Sequence, residues 1–288
     1  VFGLFKLQLG LYNLSGSDST KWWNRFWKRV GDEPVIYNPQ LTSVTENQIS
    51  QLFRNRGYMN AEVNSDISHP KEKIAEVTYN IKSNIPYRIR SYSVNINYPE
   101  LLQIALDTAR SLIKHGNLFD SDVLDDERDR ITSRFRNLGY YNFSKDYLQY
   151  FADSTLNTNE ADLVLEVRNE SELTDSIDLV KVFQKYTIRK VHFYSETEKT
   201  LENLNSEISL DSLEIENYKF TYENIRNIRP SVLIQSTHIV PEDFYSDRAV
   251  ERSYSSLNSL SAIKYMDISF RESGTDKLDA FIILTPNK

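Results

Sequence analysis

The chain has 288 residues and no cysteine. Disulfides, zinc thiolates and cysteine nucleophiles are excluded at once. The compartment is not, because a reduced cytosol and a cysteine-free envelope protein look the same. No apolar run reaches the roughly 18 residues of a membrane-spanning helix. Positive charge is not in excess: the net charge is −7, which argues against phosphate-backbone binding as the main task. There is no Gly-x-Ser-x-Gly, phosphate loop, His-Glu-x-x-His or Gly-x-Gly-x-x-Gly. His69, His115, His192 and His238 are too scattered for a metal site. The acidic run Asp120–Asp129 lacks the glycine and the late glutamate of a calcium loop, and suits a helix N-terminus instead. No enzyme, metal or cofactor is expected. The chain begins at Val1 without methionine or signal peptide, so it is expected to be a piece of a longer precursor.

What is present is a phrase used twice. Ile131–Phe143, ITSRFRNLGYYNF, recurs at Ile49–Ala61 as ISQLFRNRGYMNA. The identical pairs are Ile49/Ile131, Phe53/Phe135, Arg54/Arg136, Asn55/Asn137, Gly57/Gly139, Tyr58/Tyr140 and Asn60/Asn142. A phrase repeated in a chain without low-complexity bias marks a repeated structural unit. Ile131, Phe135 and Leu138 form one stripe of a helix. Gly139 follows the last apolar turn, where helices often end in a left-handed residue. Tyr140 is then placed to fold back on the stripe, and the chain leaves as a strand.

Read in order, residues 1–30 are strongly aromatic. Trp22, Trp23, Phe26 and Trp27 share one helical face, with Asp18-Ser19-Thr20 as cap and Gly31 as stop. The face suits a membrane surface, since Lys21, Arg25, Lys28 and Arg29 accompany it. The preferred reading is a core-facing helix with a solvated basic side. A helix over 45–56, capped by Thr45, then precedes strands over 61–68 and 74–82. The second unit reads as a strand over 87–97, a helix from Pro99 to Gly116, a helix over 122–138, and strands over 143–152 and 161–168. Residues 169–185 read as a linker. Tyr186-Thr187-Ile188-Arg189 echoes Tyr87-Arg88-Ile89-Arg90 and opens a third unit. That unit has a strand over 186–195, a short helix around 201–208, an added strand in NYKFTY, helices over 230–239 and 247–260, and strands over 263–271 and 277–285. Asp243-Phe244-Tyr245-Ser246-Asp247 parallels Leu118-Phe119-Asp120-Ser121-Asp122.

Strand–helix–helix–strand–strand with a helix ending in Gly-Tyr resembles the POTRA (polypeptide-transport-associated) repeat of BamA/TamA-type outer-membrane assembly factors. The opening FGLFKLQLGLYNLSG, the WWNRFWKRVGDEPVIY segment and the YTIRKVHFYSE strand are most similar to TamL, a lipoprotein branch. The resemblance implies an α+β fold of tandem β-α-α-β-β repeats. Each would have a three-stranded mixed sheet with two helices on one face. It implies a truncated repeat over 1–86, a second over 87–185 and a third over 186–288 with an insertion at 196–229. It further implies a periplasmic arm of a Gram-negative outer-membrane protein, anchored by a lipid and a barrel outside this chain. The arm would bind unfolded outer-membrane clients or accessory envelope proteins by strand addition, with no nucleic acid involved. The alternative is a structural arm docking one fixed inner-membrane or lipoprotein partner. The partner edges would be the strands after each glycine, Ala61, Val63 and Ser65, then Phe143, Lys145, Tyr147 and Gln149, and the corresponding strand of the third unit, Tyr265, Asp267 and Ser269, where Ser259 or Ser261 replaces the glycine. Gly57, Tyr58, Gly139 and Tyr140 would be structural. Proline at Lys145 or Gln149 is expected to remove an edge donor.

Overall fold

Asn38 and Pro39 begin the first long helix, not Thr45. The Asn38 side-chain oxygen accepts from the Gln40 N–H at 2.9 Å, and proline stands at the first helical position, where its missing N–H costs nothing. Thr45 lies inside that helix and donates to Leu41 O at 2.8 Å. The computed structural model describes residues 11, 12, 14, 20–30, 36–71, 74–154, 158–168, 179–195, 211–222 and 228–287. The expected cap at Asp18-Ser19, the stop at Gly31, most of the 169–185 linker and the helix around 201–208 lie outside these residues. The chain divides into two compact units: residues 1–54 with 58–85, and residues 55–57 with 86–288.

The first unit contains α1 (Trp22–Val30), α2 (Pro39–Asn55, whose last residue groups with the second unit), β1 (Glu62–Lys71) and β2 (Ile74–Lys82). β1 and β2, the two strands read over 61–68 and 74–82, form an antiparallel two-stranded sheet. Among its described residues only Thr42 and Ala61 are buried. That removes the core into which α1 was expected to turn. Trp22, Trp23 and Phe26 are instead 61%, 57% and 50% exposed. The face that joins the helix to solvent is the aromatic one, which corrects the core-facing reading.

The second unit holds two repeats of the expected order. The first comprises β3 (Arg88–Asn95), α3 (Pro99–Ala105), α4 (Ser121–Arg136), β4 (Leu148–Asp153) and β5 (Glu160–Val167). β3 and β5 are parallel, β4 and β5 antiparallel, and the sheet order is β3-β5-β4. The one-turn helix α5 (Leu179–Val182) follows, with Val182 buried in the core of that same repeat; the next repeat comprises β6 (Thr187–Ser195), β7 (Asp211–Ile215), β8 (Tyr218–Tyr222), α6 (Pro230–Ser236), α7 (Asp247–Asn258), β9 (Ile263–Glu272) and β10 (Lys277–Pro286). Its sheet has five strands in the order β7-β8-β6-β10-β9. The extra pair is the insertion, whose NYKFTY stretch supplies β8. The fold class is thus α+β with tandem repeats, but three strands per sheet holds only for the 88–167 repeat.

Both repeats bury alternating residues of their parallel strands under two helices. Leu101, Ile131, Phe135, Phe143, Leu148 and Leu165 fill one core; Tyr186, Val191, Phe193, Leu257, Leu278 and Ile282 fill the next. α3 stops at Ala105 instead of running to Gly116. The reason lies on α4: the Glu127 carboxylate is fully buried, ion-pairs with Arg130 at 2.8 Å and accepts the Leu112 N–H at 3.0 Å. A buried carboxylate needs such donors, and supplying one pulls residues 107–117 off the helix path. Leu106 and Leu112, on the apolar face of a helix carried on to Gly116, are 53% and 43% exposed. Asp120, in the acidic run, caps α4 by accepting from the Asp122 N–H at 2.9 Å.

Candidate interaction surface

The copied phrase is more than a helix stop. Phe135 and Tyr140 stack at 3.7 Å with rings 9° from parallel, so Tyr140 does fold back on the helix. Tyr58 meets Phe53 edge-on at 5.7 Å in the first copy. Gly139 has φ +109 and Gly57 φ +89, both left-handed. Their carbonyls then do something the stop does not require. Gly139 O accepts the Tyr186 N–H at 2.9 Å, and Gly57 O accepts the Tyr87 N–H at 2.7 Å. Tyr186 and Tyr87 lead into β6 and β3. The glycine of each copy therefore carries the start of the next sheet.

The remaining residues of the second copy complete that seam. The Arg136 guanidinium ion-pairs with Asp247 at 2.7 Å, donates to the Tyr245 hydroxyl at 2.8 Å and to Phe143 O at 3.0 Å, and also reaches Tyr141 O. Burial pulls its pKa down, but Asp247 and Tyr245 outweigh that and the net shift is upward. Asn137 Oδ1 accepts from the Ser246 hydroxyl at 2.7 Å and the Arg248 N–H at 2.8 Å. Asn142 donates to the Tyr186 hydroxyl at 3.0 Å and Glu272 at 3.1 Å. Tyr141 packs edge-on against Tyr186 and Tyr245, inside the core of the next repeat. Lys185 pairs with Glu100 at 2.7 Å, and burial with the Glu100 charge pushes the Tyr140 hydroxyl up to about 12. Sequence reasoning assigned no role to Arg136, Asn137, Tyr141 or Asn142. The signal was available: Arg, Asn and Asn recur in both copies, although a glycine stop requires none of them.

The expected partner edges divide into those the structure keeps and those it moves. β4 and β9 each pair on one side only among the described residues, as does β1. Val63 and Ser65 lie in β1, half-buried, while Ala61 precedes it and is buried. Phe143 is not at an edge; it is fully buried and packs on Phe135 at 4.8 Å. Lys145 and Tyr147 belong to a 3-10 turn over Lys145–Tyr147. Lys145 is held by Asp125 at 2.8 Å and Asp129 at 3.0 Å, which fixes the turn against α4. The strand starts only at Leu148.

Hydrogen-bond parity corrects the rest. The Arg168 N–H donates to Tyr147 O at 2.9 Å, in register with the β4/β5 ladder. Bonding alternates along an antiparallel pair, so Gln149 and Phe151 bond inward to β5, and Tyr150 and Ala152 face outward. Proline at Gln149 would break the ladder, not the edge. The same logic applies to β9, where the Ser273 N–H donates to Lys277 O at 2.8 Å. Tyr265, Asp267 and Ser269 bond to β10, and Met266, Ile268 and Phe270 face outward. One of those donors is already occupied: the Ile268 N–H meets the Tyr254 hydroxyl of α7 at 2.9 Å. On β4 the Leu148 carbonyl is likewise occupied, by Arg128 at 3.2 Å, which leaves Tyr150 and Ala152 as its outward groups.

Among the described residues no group of three or more His, Asp or Glu could hold a metal ion. No described helix is long and apolar enough to cross a membrane. Asp162, on the open face of β5, is lowered to about 2 by the Arg90 guanidinium and the Ser91 hydroxyl.

Comparison with known proteins gives one family match and several similar solved structures. Residues 28–84 match the POTRA family model, described as surface antigen variable number repeat. No curated protein matches the chain. The chain is similar to the solved POTRA3-5 of Haemophilus influenzae BamA, at 14% identity and TM-score 0.48, covering 88% of this chain and 83% of that one. It is also similar to Haemophilus ducreyi BamA lacking POTRA domains 1-3, at 14% identity and TM-score 0.45, covering 70% of this chain and 30% of that one. POTRA1-3 of the periplasmic domain of Omp85 from Anabaena aligns at 7% identity and TM-score 0.31, covering 100% of this chain and 91% of that one. The chain thus carries a POTRA match over residues 28–84.

Proposed function

We propose that the chain is the periplasmic POTRA region of an outer-membrane protein assembly factor of the BamA/TamA type. It is a non-enzymatic arm that takes client polypeptides or accessory envelope proteins by strand addition and positions them for a membrane barrel encoded outside these residues. The 1–86, 87–185 and 186–288 stretches act as its successive repeats. Its finer kinship is with the TamL lipoproteins, on the strength of the aromatic opening and the YTIRKVHFYSE strand.

The observation that carries this reading is the edge of β4. Tyr150 and Ala152 present N–H and C=O groups with no described strand beside them. Backbone pairing at such an edge gives affinity with little demand on side-chain sequence, which suits many unfolded clients. Ala152 is exposed, so Ala152→Pro removes an outward donor without entering the core. One lost edge bond of about 1 kcal/mol, with the added ring in the way of the incoming strand, weakens binding by about fivefold or more. Photocrosslinking of the purified chain to an unfolded barrel polypeptide should fall accordingly, with unchanged melting. Full crosslinking by a folded Ala152→Pro chain would remove β4 as the client edge. Crosslinking to one envelope protein and to no unfolded client would favour the fixed docking arm.

A further inference from the structure

The two repeats of the second unit differ on the side of β3 and β6 that faces away from β4 and β9. β3 and β6 are equivalent: each runs parallel to the last strand of its repeat. Each also receives the same loop at its start. The Gly116 N–H donates to Ile89 O at 2.8 Å and the Ile89 N–H to Asn117 O at 2.8 Å; the Glu242 N–H donates to Ile188 O at 2.7 Å and the Ile188 N–H to Asp243 O at 2.8 Å. Beyond this loop the two edges part. On β6 the inserted strand β8 lies alongside in parallel, from Val191↔Tyr218 to Ser195↔Tyr222, and the Val191 N–H donates to Asn217 O at 3.0 Å. On β3 only Ile96, Asn97 and Tyr98 separate the strand from α3. There is no room for an insertion. Tyr92–Asn95 has no strand on that side among the described residues.

The position equivalent to Val191 is Tyr92, counted from the shared Ile89 and Ile188. By the alternation of a strand, Tyr92 and Val94 therefore turn N–H and C=O outward, as Val191 and Phe193 do towards β8. The edge nearer the loop is already occupied, since the His115 ring nitrogen lies 2.7 Å from Arg90 O. The chemistry of a fitting strand can be read from β8. Tyr218 and Phe220 are buried on the helix side, and Phe220 stacks on Phe193 at 5.0 Å with rings 2° from parallel. Tyr92 and Val94 occupy the same face of β3 and are half-buried against the core of their own repeat. The opposite face carries Ser91, Ser93 and Asn95, all exposed.

The geometry points to Tyr92–Asn95 as an acceptor edge for one polypeptide strand, running parallel to β3, with aromatic residues at alternate positions and polar ones between. The third repeat fills this edge from its own chain; the second leaves it for a partner segment of the same Tyr-x-Phe-x-Tyr kind. The site is separate from the client edge, because β3 and β4 lie at opposite ends of the sheet order β3-β5-β4.

The test is amide hydrogen exchange on the full chain, with a synthetic peptide of residues 211–222 as probe. In the free protein the Tyr92 and Val94 amides should exchange faster than those of Val191 and Phe193. Saturating peptide should slow Tyr92 and Val94 by about tenfold or more. A peptide carrying Phe220→Asp should give no slowing, and this control does not depend on any variant of the protein folding. Absence of slowing at millimolar peptide would overturn the proposal. So would slowing confined to Tyr150 and Ala152, or exchange of the peptide with the resident hairpin at Val191.

Discussion

Gly57→Val should cost the second compact unit about 3 kcal/mol or more. Gly57 has φ +89, where a β-branched residue is strained by about 1–3 kcal/mol. An added Cβ would also stand 2.9 Å from Phe119 O and 3.1 Å from Tyr87 O. These are backbone atoms held by the Phe119 N–H to Tyr87 O bond at 2.9 Å, so they cannot rotate away. Gly139→Val should cost less, about 2 kcal/mol. Its φ of +109 is as strained, but the obstruction is the Phe244 ring at 3.1 Å, which can turn. Gly274→Ala is the control: φ is +93, yet no atom lies within 4 Å of the new Cβ. Urea unfolding should rank the losses Gly57 above Gly139 above Gly274. Equal midpoints for all three would mean that the close approaches at Gly57 and Gly139 carry no cost beyond the backbone strain.

Arg136→Ala should lower stability by about 2–4 kcal/mol and split the melting of the two repeats. The side chain joins Asp247, the Tyr245 hydroxyl and the carbonyls of Tyr141 and Phe143. Removing it leaves a partly buried carboxylate and two carbonyls without their cation. About a quarter of the Arg136 side chain is exposed, so the loss falls short of that for a sealed ion pair. Arg136→Lys keeps charge but not the planar fork, and should recover only part of the loss. Calorimetry of the wild type should show the 88–167 and 187–286 repeats melting together, and Arg136→Ala should show two transitions. A single transition with a midpoint unchanged from wild type would show that the seam is held elsewhere, for instance by Asn137 and Tyr141.

The repeat, its element order and its aromatic clamp were legible because they rest on local rules. Phe135, Gly139 and Tyr140 lie within six consecutive residues, and a left-handed glycine at that spacing turns ring back onto ring. The acidic run at a helix N-terminus and Pro99 and Pro230 as helix starts are equally local. What was not legible depended on distant partners. Nothing between Pro99 and Gly116 shows that a buried Glu127 on another helix draws that stretch out of helical form. Phe143 reads as an alternating strand residue, yet its ring belongs to the Phe135 core, and Lys145 is held in a turn by Asp125 and Asp129. The parallel drawn between Leu118–Asp122 and Asp243–Asp247 also shifts by one. Leu118 and Phe244 are the matching residues, since they make the bridges to Arg88 and Thr187. Edge parity is the last case. Gln149 and Tyr150 cannot be told apart as inward and outward donors without the Arg168–Tyr147 bond that sets the ladder.

The central claim is that β4 presents a working edge, and exchange at its outward amides tests it most directly. Tyr150 and Ala152 amides should slow by about tenfold when an unfolded barrel polypeptide is added to the full chain, while those of Gln149 and Phe151 stay as they were. Slowing of Gln149 and Phe151 without change at Tyr150 and Ala152, or no change along β4 at saturating client, would contradict it.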